Sequence, residues 1–345
     1  MIKHKRLLYY GQGTWGSTSV QRYNALSEIF SISYLVDSRR AFPDKGTGRS
    51  LLKSIQGRTG IGNIISITSK ILLQEAQRFK PDVIWIDGGF LVSRKVLKLL
   101  AELNIILIHY TPDSLLSPGM SNLCFQQAIS SYDYLVTTKK QDVDLYKKHQ
   151  PKKLIMSQQG FDPDIHSHSH LTQNEIIRFS CDVVFIGHCM ADRLSYMEYL
   201  VKELDIDIKI FGTGWNHRNV SPKLQQLFHG PAVDMNYSRA ISGSKIALGF
   251  LNHDSKDQIT TRSFEIPAAG GFFLAERTDQ HIELLAESKE AAYFSSKEEL
   301  VNKIKYYLEH DAERLAIQTM GTKKIRDGDY TWRSLMNSIL KEASF

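Results

Sequence analysis

The chain has 345 residues, of which 42% are hydrophobic and 23% charged, with a formal net charge of +6. This length predicts about two domains, and the composition excludes disordered and collagen-like chains. The apolar stretches are too short for a membrane helix, and the basic start is followed by too few apolar residues for a signal peptide. A cytoplasmic protein is therefore expected.

The three cysteines form no CxxC pair, which argues against a disulfide framework and a structural zinc site. The mild positive charge suits an anionic substrate or a membrane surface. Because the basic residues form no block, nucleic acid is not an expected partner.

The first half of the chain alternates short apolar runs with segments of helical periodicity, which predicts βαβ units and a parallel sheet. The segment 43–62 is rich in Gly, Lys, Arg and Ser and is predicted to be a mobile loop. Ser93 is a plausible N-cap for its helix. Strands are predicted at 6–10, 33–36, 83–86, 105–109, 134–137 and 153–157, and helices at 19–30, 64–79, 93–103, 122–130 and 141–149.

The stretch 160–175 interrupts this alternation and is interpreted as a linker, after which the alternation begins again. The second half therefore predicts another α/β domain of similar size. In such sheets, ligands bind at the carboxyl ends of the strands. Strands are predicted at 183–186, 206–211, 246–251 and 272–274, and helices at 193–204, 237–243, 264–269, 297–310, 312–325 and 330–343.

A glycine loop, Gly11-x-Gly13-x-x-Gly16, follows the first strand, and Asp37 ends the second. This arrangement is close to the dinucleotide-binding fingerprint, so an NAD(P)-dependent oxidoreductase is one alternative. The loop is equally suited to other phosphate or sugar contacts, because small residues let backbone amides approach an anion. Its predicted contacts are Gly11, Gly13 and Thr14.

Polar residues follow two further strands of the first half. Asp87 comes after the third predicted strand, and His109 and Asp113 come with the fourth. A carboxylate or imidazole at such a position could take a proton from an acceptor hydroxyl. We therefore expect Asp87 to contact an acceptor, and His109 or Asp113 to act as the base.

The most informative stretch of the second half is 260–274, where a short predicted helix leads into Gly270-Gly271 and a buried strand. Thr260, Thr261 and Arg262 offer hydroxyls, a guanidinium and helix-start amides, which suit a diphosphate. Glu265 lies one turn later among apolar residues and needs a partner, for which a ribose diol is suitable.

The sequence RSFEIPAAGG at 262–271 resembles the signature of the CgeB-like glycosyltransferases, which are relatives of the group-1 family. The segments 182–187, 244–250, 292–300, 306–308 and 330–333 also fit, so the resemblance covers about 180–335. It implies a GT-B fold, in which two Rossmann-like domains with parallel sheets face each other across a cleft. The implied domains are an acceptor-side domain at 1–160 and a nucleotide-sugar domain at 161–329, and the helix at 330–345 packs back on the first.

The resemblance implies transfer of a sugar from a nucleotide-diphosphate donor, of UDP or GDP type, to an acceptor hydroxyl in glycan or surface polysaccharide biosynthesis. It implies no metal and no separate cofactor. Glu265 falls at the position that binds the ribose, whereas Asp257 stands where the family has a first glutamate. The remaining donor contacts are expected from Gly187, Arg193, Gly212, Gly214 and Gly270, besides Thr260, Thr261 and Arg262.

The acceptor could be a glycan, a lipid-linked molecule or a protein, and the enzyme could associate peripherally with the inner face of a membrane. The stereochemistry, the base, the donor sugar and the oligomeric state stay open. A non-catalytic nucleotide-sugar-binding protein of the same fold is a further alternative to the enzyme.

Overall fold

The computed structural model describes residues 4–42 and 48–344 and divides into two compact units. Unit 1 contains the described residues up to Gln159, together with Asp254–Lys256 and the segment that begins at Trp332. Unit 2 contains Gly160–His253 and Asp257–Thr331. Each unit is built on one parallel sheet, as the alternation in the sequence predicts. Among the described residues, no helix is both long enough and apolar enough to span a membrane.

The sheet of unit 1 has six strands in the order β2-β1-β3-β4-β5-β6, and every neighbouring pair is parallel. The order reverses between β1 and β3, so this pair is the switch point of the sheet. The strands are β1 (Arg6–Gly11), β2 (Ile32–Asp37), β3 (Val83–Asp87), β4 (Ile106–Thr111), β5 (Tyr134–Thr137) and β6 (Leu154–Met156).

The helices of unit 1 cover both faces of this sheet, and the central strands are therefore apolar on both sides. In β3, for example, Val83, Ile84, Trp85 and Ile86 are all fully buried. The helices are α1 (Thr18–Ile29), α2 (Gly48–Thr59), α3 (Asn63–Phe79), α4 (Arg94–Glu102), α5 (Leu123–Ala128) and α6 (Val143–Lys147).

The predicted N-cap of α4 is confirmed, because the Ser93 side chain accepts a hydrogen bond from the amide of Val96. The prediction of a loop throughout 43–62 is wrong, because residues 48–59 form α2. Ile55 lies four residues after Leu51 and three after Leu52 on α2, a helical spacing that the abundance of Gly, Lys and Arg in this segment obscures. The part of the predicted loop at 43–47 lies outside the described residues.

The sheet of unit 2 has five parallel strands in the order β11-β10-β9-β7-β8. Its order reverses between β7 and β9, which form the second switch point. The strands are β7 (Cys181–His188), β8 (Ile208–Thr213), β9 (Ser244–Gly249), β10 (Phe273–Glu276) and β11 (Ala292–Phe294).

Three helices of unit 2, α7, α9 and α12, are absent from the sequence prediction, and α7 begins at Gln173, within the last three residues of the predicted linker. In α7, Thr172 and Glu175 make a reciprocal capping box. The helices are α7 (Gln173–Phe179), α8 (Ala191–Glu203), α9 (Pro222–Gln226), α10 (Met235–Ser242), α11 (Arg262–Ala268), α12 (Asp279–Leu284), α13 (Lys297–Glu309) and α14 (Asp311–Asp327).

The last helix, α15 (Trp332–Glu342), belongs to unit 1, where it packs beside α1. The indole Nε1 of Trp332 donates a hydrogen bond of 2.9 Å to the Gln21 side chain. The apolar residues of α15 pack in a hydrophobic core of unit 1, together with Tyr9 of β1 and Trp85 of β3. One face of the first sheet is thus covered by α1 and by a helix that comes after all of unit 2 in the sequence.

Candidate functional site

The carboxyl ends of β7 and β8 approach so closely that only glycine fits there. A Cβ atom on Gly212, whose φ is +133°, would lie 2.0 Å from the carbonyl oxygen of Gly187. That same oxygen accepts a hydrogen bond of 2.9 Å from the Trp215 indole. Trp215 is fully buried against Phe185 and is therefore a core residue. These contacts fix the backbone at the edge where a parallel sheet binds ligands.

Two arginines converge on the second switch point. Arg193 of α8 is 5% exposed and donates to the carbonyls of His188, which ends β7, and of Leu251, which follows β9. Arg262 donates to the carbonyl of Ile186 in β7 at 2.8 Å. In the part of the chain that the structure describes, neither guanidinium forms an ion pair with a carboxylate.

The electrostatics of this pair favour a bound anion. Burial is the main cause that lowers the pKa of Arg193, to about 10, and the like charge of Arg262 lowers it further, while Glu276 and Asp257 act in the opposite direction. Arg193 nevertheless remains charged at neutral pH. Two neighbouring positive charges repel each other, and an anion between them would remove that repulsion.

Glu265 of α11 is 5% exposed, and its carboxylate lies among polar side chains from distant parts of unit 2. The Nε2 of His166 is 3.8 Å from its Oε1. The Nδ1 of His166 accepts a hydrogen bond from the Asp162 amide, so the proton of the neutral ring is on Nε2. Burial lowers the pKa of His166 to about 3, and the ring is therefore neutral.

Tyr237 of α10 is the second neighbour of Glu265. Burial and then the negative charge of Glu265 raise the pKa of Tyr237 well above its ordinary value, so its hydroxyl keeps its proton. Its ring lies edge-on to His166, with 5.3 Å between the centroids. A carboxylate with a neutral imidazole and a phenol beside it can accept hydrogen bonds from a ligand diol.

The start of α11 differs from the expectation of free helix-start amides. The amides of Ser263, Phe264 and Glu265 bond to the carbonyls of Thr260 and Thr261, and the Thr260 amide bonds to the Ser263 hydroxyl. The helix also has only seven residues. The positive charge at this edge therefore comes mainly from Arg193 and Arg262, and Thr260 and Thr261 stay predicted contacts through their hydroxyls.

Ser263 itself is held by a buried histidine. Its hydroxyl is 2.7 Å from Nε2 of His281, whose Nδ1 is 2.7 Å from the carbonyl of Glu276. The Glu276 carboxylate accepts from the amide of Leu251 and contacts His253 at 2.5 Å. This chain of hydrogen bonds joins the start of α11 to the ends of β9 and β10.

The predicted donor contact at Gly270 is corrected by the topology. Gly270 follows the end of α11 and leads into β10, so it lies at the opposite end of the helix from Arg262. Its φ of +78° ends the helix, and His168 packs against it. Gly214, in contrast, follows β8 at the carboxyl edge, where a Cβ would meet His188 at 3.2 Å.

In unit 1, the glycine loop after β1 binds to its own neighbours. The Gly13 amide donates to Asp37 at 3.1 Å, and the same carboxylate accepts from the amide and side chain of Arg39. A Cβ on Gly11 would lie 2.6 Å from the Tyr9 ring. Asp37 is thus already engaged in the position that an NAD(P) ribose would need. Thr14 accepts from Gln12 within the loop.

The prediction that Asp87 contacts an acceptor is corrected, because this residue forms a buried ion pair. Arg22 donates to both of its carboxylate oxygens, at 2.6 and 3.0 Å, and Tyr9 donates to it at 2.6 Å. The side chains of Arg22 and Asp87 are 1% and 5% exposed. Burial acts to lower the pKa of Arg22, but Asp87, Tyr110 and Tyr9 together raise it. The pair holds α1 on the sheet.

The prediction of His109 as a base is also corrected. His109 is fully buried, and its ring lies 4.6–5.4 Å from those of Phe90, Phe125 and Tyr132. Burial lowers its pKa to about 3. A substrate cannot reach it without opening of the core. Asp113 is exposed after β4 and remains the predicted base.

Three histidines alternate within the predicted linker, namely His166, His168 and His170, and they do not act together. Of them, only His166 is buried against Glu265, whereas His168 packs beside Gly270 and His170. Among the described residues, no group of three or more His, Cys, Asp or Glu side chains is arranged to hold a metal ion. His166, Tyr237 and His281 are the neighbours of the site that the sequence reading missed. The sequence carries no signal for these three residues, because the burial of a histidine within a polar segment is visible only in the fold.

Comparison with known proteins agrees with this geometry. Residues 193–341 match a family model described as "Glycosyl transferase-like". This match assigns a glycosyltransferase-like domain to the second half of the chain. No curated protein sequence matches it. The matched range begins at Arg193 and contains Arg262 and Glu265.

Several solved structures resemble this chain over nearly its whole length. They show that the fold of this chain is GT-B. HepE from Anabaena, in complex with UDP and glucose, has 12% identity and a TM-score of 0.68, over 99% of this chain and 100% of HepE. Sucrose-phosphate synthase from Thermosynechococcus elongatus has 10% identity and a TM-score of 0.67, over 98% and 99% of the two chains. A glycosyltransferase from Rickettsia africae has 12% identity and a TM-score of 0.66, over 98% of each chain.

Proposed function

We propose that unit 2 binds a UDP-sugar at the carboxyl ends of β7 and β9, with its diphosphate on Arg193 and Arg262. The observation that carries this proposal is a pair of guanidiniums at the switch point that has no carboxylate partner among the described residues. Arginine donates to phosphate oxygens in a planar fork, so it suits this role. The complexes of HepE with UDP and with UDP-glucose support uracil as the base.

The ribose binds to Glu265, which lies one helical turn from Arg262. Its carboxylate accepts hydrogen bonds from the two ribose hydroxyls, and His166 and Tyr237 hold the carboxylate in place. Gly187, Gly212 and Gly214 provide backbone that the nucleotide can approach closely, because they carry no side chain. Thr260 and Thr261 contribute hydroxyls beside the diphosphate.

The reaction breaks the bond between the sugar C1 and the diphosphate oxygen and forms a bond from C1 to the acceptor oxygen. The leaving diphosphate gains negative charge in the transition state, which the two guanidiniums stabilise. The acceptor proton passes to Asp113 if the configuration is inverted. The acceptor hydroxyl is bound by loops of unit 1, including Gly11, Gly13 and Thr14.

We further propose that the enzyme is of the CgeB-like subtype and acts in glycan or surface polysaccharide synthesis at the inner face of a membrane. The net charge of +6 and the exposed Leu51, Leu52 and Ile55 of α2 support association with an anionic surface. Flotation with vesicles tests this. Binding to anionic but not to neutral vesicles supports the proposal, and no binding to either contradicts it.

The decisive test of the donor site is the substitution Glu265→Gln, which keeps the shape of the side chain and removes its charge. We expect the Kd for UDP, measured by calorimetry, to rise about 10- to 100-fold, because a charged hydrogen-bond acceptor is lost. Glu309→Gln, at an exposed position of α13, is the matched control.

Unchanged UDP affinity in Glu265→Gln would remove Glu265 from the site, and tight binding of NAD without UDP would contradict the whole proposal. Turnover is tested with a panel of UDP- and GDP-sugars. Donor binding without either transfer or donor hydrolysis would contradict the catalytic role.

A further inference from the structure

A cavity of about 280 Å³ lies in unit 1, at the carboxyl ends of the two strands that form the first switch point. Tyr10 of β1 and Gly88-Gly89, which follow β3, form one side of it. The remaining lining is mainly apolar and includes Phe42, Phe90, Leu91, Val92 and Met120. This volume is at the lower end of the range for ligand pockets, so it can hold only part of a ligand.

Tyr10 provides a polar group within this apolar lining. Its side chain is 1% exposed, and its hydroxyl has no hydrogen-bond partner among the described residues. Burial and the charge of Asp37 raise the pKa of Tyr10 above its ordinary value, so the hydroxyl remains a donor. A buried hydroxyl without a partner costs free energy unless a ligand or water accepts from it. The cavity thus has an unused donor.

Among the described residues that line the cavity, Arg58 of α2 is the one that carries a charge, and its side chain is exposed. In the described chain its guanidinium makes no hydrogen bond or ion pair. The apolar surface also extends outside the cavity along the same helix, where Leu51, Leu52 and Ile55 are 69%, 57% and 51% exposed. An apolar interior, a free cation and an apolar rim therefore occur together on one short stretch.

From this combination we infer that the cavity binds the acceptor of the proposed transfer reaction, and that this acceptor is an anionic amphiphile. Part of its hydrocarbon chain fills the cavity, its phosphate or comparable anion pairs with Arg58, and the rest of the chain lies along α2. The extended apolar rim favours a flexible chain over a compact aromatic group, which would end inside the cavity. The inference rests on the proposed function, which supplies the reaction for which this molecule is the acceptor.

The first test measures binding of a series of alkyl phosphates, from butyl to decyl, by calorimetry below their micelle concentrations. We expect the Kd to fall about threefold for each added CH2 until the apolar surface is covered. Inorganic phosphate should not compete. A Kd that does not depend on chain length, or full competition by inorganic phosphate, would overturn the inference, because it would show an anion site only.

The second test fills the cavity by substitution. A Cβ on Gly57 would have only Leu91 and Phe42 near it, both at 3.9 Å, and both line the cavity. In Gly57→Leu the added side chain extends into this space, and we expect the Kd for decyl phosphate to rise at least tenfold. Gly57→Ala adds one methyl group at an ordinary distance and should stay within about twofold of the original Kd.

Wild-type affinity in Gly57→Leu would overturn the inference. If this variant does not fold, Arg58→Gln and Tyr10→Phe keep the test valid, since loss of either polar group should weaken decyl phosphate binding about threefold or more. No change in both variants would contradict the assigned anion and donor roles.

UDP affinity is measured on every variant. Intact UDP binding with no alkyl phosphate binding refutes the cavity alone. Alkyl phosphate binding without UDP binding refutes the donor site alone.

Discussion

At the scale of single residues, the buried charges of unit 1 separate a structural role from a role in binding. In Asp87→Asn, the guanidinium of Arg22 keeps its charge at 1% exposure and loses its counter-ion. We expect the free energy of unfolding to fall by about 3–5 kcal/mol, since an uncompensated buried charge remains. Urea unfolding measures this. Asp144→Asn, at a side chain that is 91% exposed, should change stability little.

The original prediction for Asp87 would be supported instead if Asp87→Asn folded with nearly wild-type stability and raised the KM for the acceptor. The two readings thus differ in the quantity that changes, which is stability in one case and acceptor KM in the other.

The buried His109 predicts how the free energy of unfolding depends on pH. Its pKa is about 3 in the folded chain and near 6.5 when unfolded, so only the unfolded chain takes up a proton as the pH falls below 6.5. This histidine therefore lowers the stability of the fold progressively as the pH falls from about 6.5 towards 3. In His109→Phe, we expect the loss of unfolding free energy between pH 7 and pH 5 to be smaller by about 1–2 kcal/mol.

Phenylalanine suits this position because both ring nitrogens of His109 lack a partner and aromatic rings surround it. The kcat of His109→Phe at neutral pH should equal that of the wild type. A large drop in kcat with unchanged stability would restore His109 as the base, whereas a drop confined to Asp113→Asn would favour Asp113.

At the scale of elements, α15 should stabilise unit 1 through its apolar side. Met336 is fully buried against the core that Tyr9 and Trp85 share, and Trp332 lies beside Arg22, 5.1 Å from its guanidinium. Met336→Ala should lower the free energy of unfolding by about 2–5 kcal/mol, because it leaves a cavity. Lys341→Ala, on the exposed side of α15, is the control. Equal effects of the two substitutions in urea unfolding would show that α15 packs only loosely.

Most strands could be predicted from the sequence because buried parallel strands form short, continuous apolar runs, as in 83–86. Helix α2 could not, since its exposed leucines and glycine give no stripe that faces a core. The helix α12 and the strand β11 are only six and three residues long, which is too short for a clear period. Length and burial thus decide which elements the pattern shows.

The candidate site was predictable only where residues follow one another in sequence. Arg262 and Glu265 belong to one motif, and Arg193 follows a strand end, so all three could be named. His166 and Tyr237 meet Glu265 through the fold alone. The mistaken expectations for Asp87 and His109 have a common cause, because a polar residue at the end of a strand can turn into the core as well as towards a ligand.

At the scale of the whole molecule, each unit carries one switch point and one candidate ligand site. The proposed donor residues lie within unit 2, and the cavity lies within unit 1. Donor affinity and acceptor affinity are therefore separate quantities, and a substitution can be assigned to one of them by a binding measurement on the intact chain.

Because α15 belongs to unit 1 but ends the sequence, the ribosome completes unit 1 only after it has synthesised unit 2. Nearly all of unit 2 is translated between Gln159 and Trp332. At ordinary translation rates this takes on the order of 10–30 s. During this time the first sheet is complete, but the part of its face that α15 will cover is still exposed to solvent. The nascent chain therefore presents Tyr9 and Trp85 to the cytosol for far longer than local folding requires. Chaperones that recognise apolar surface would have their best opportunity in that interval.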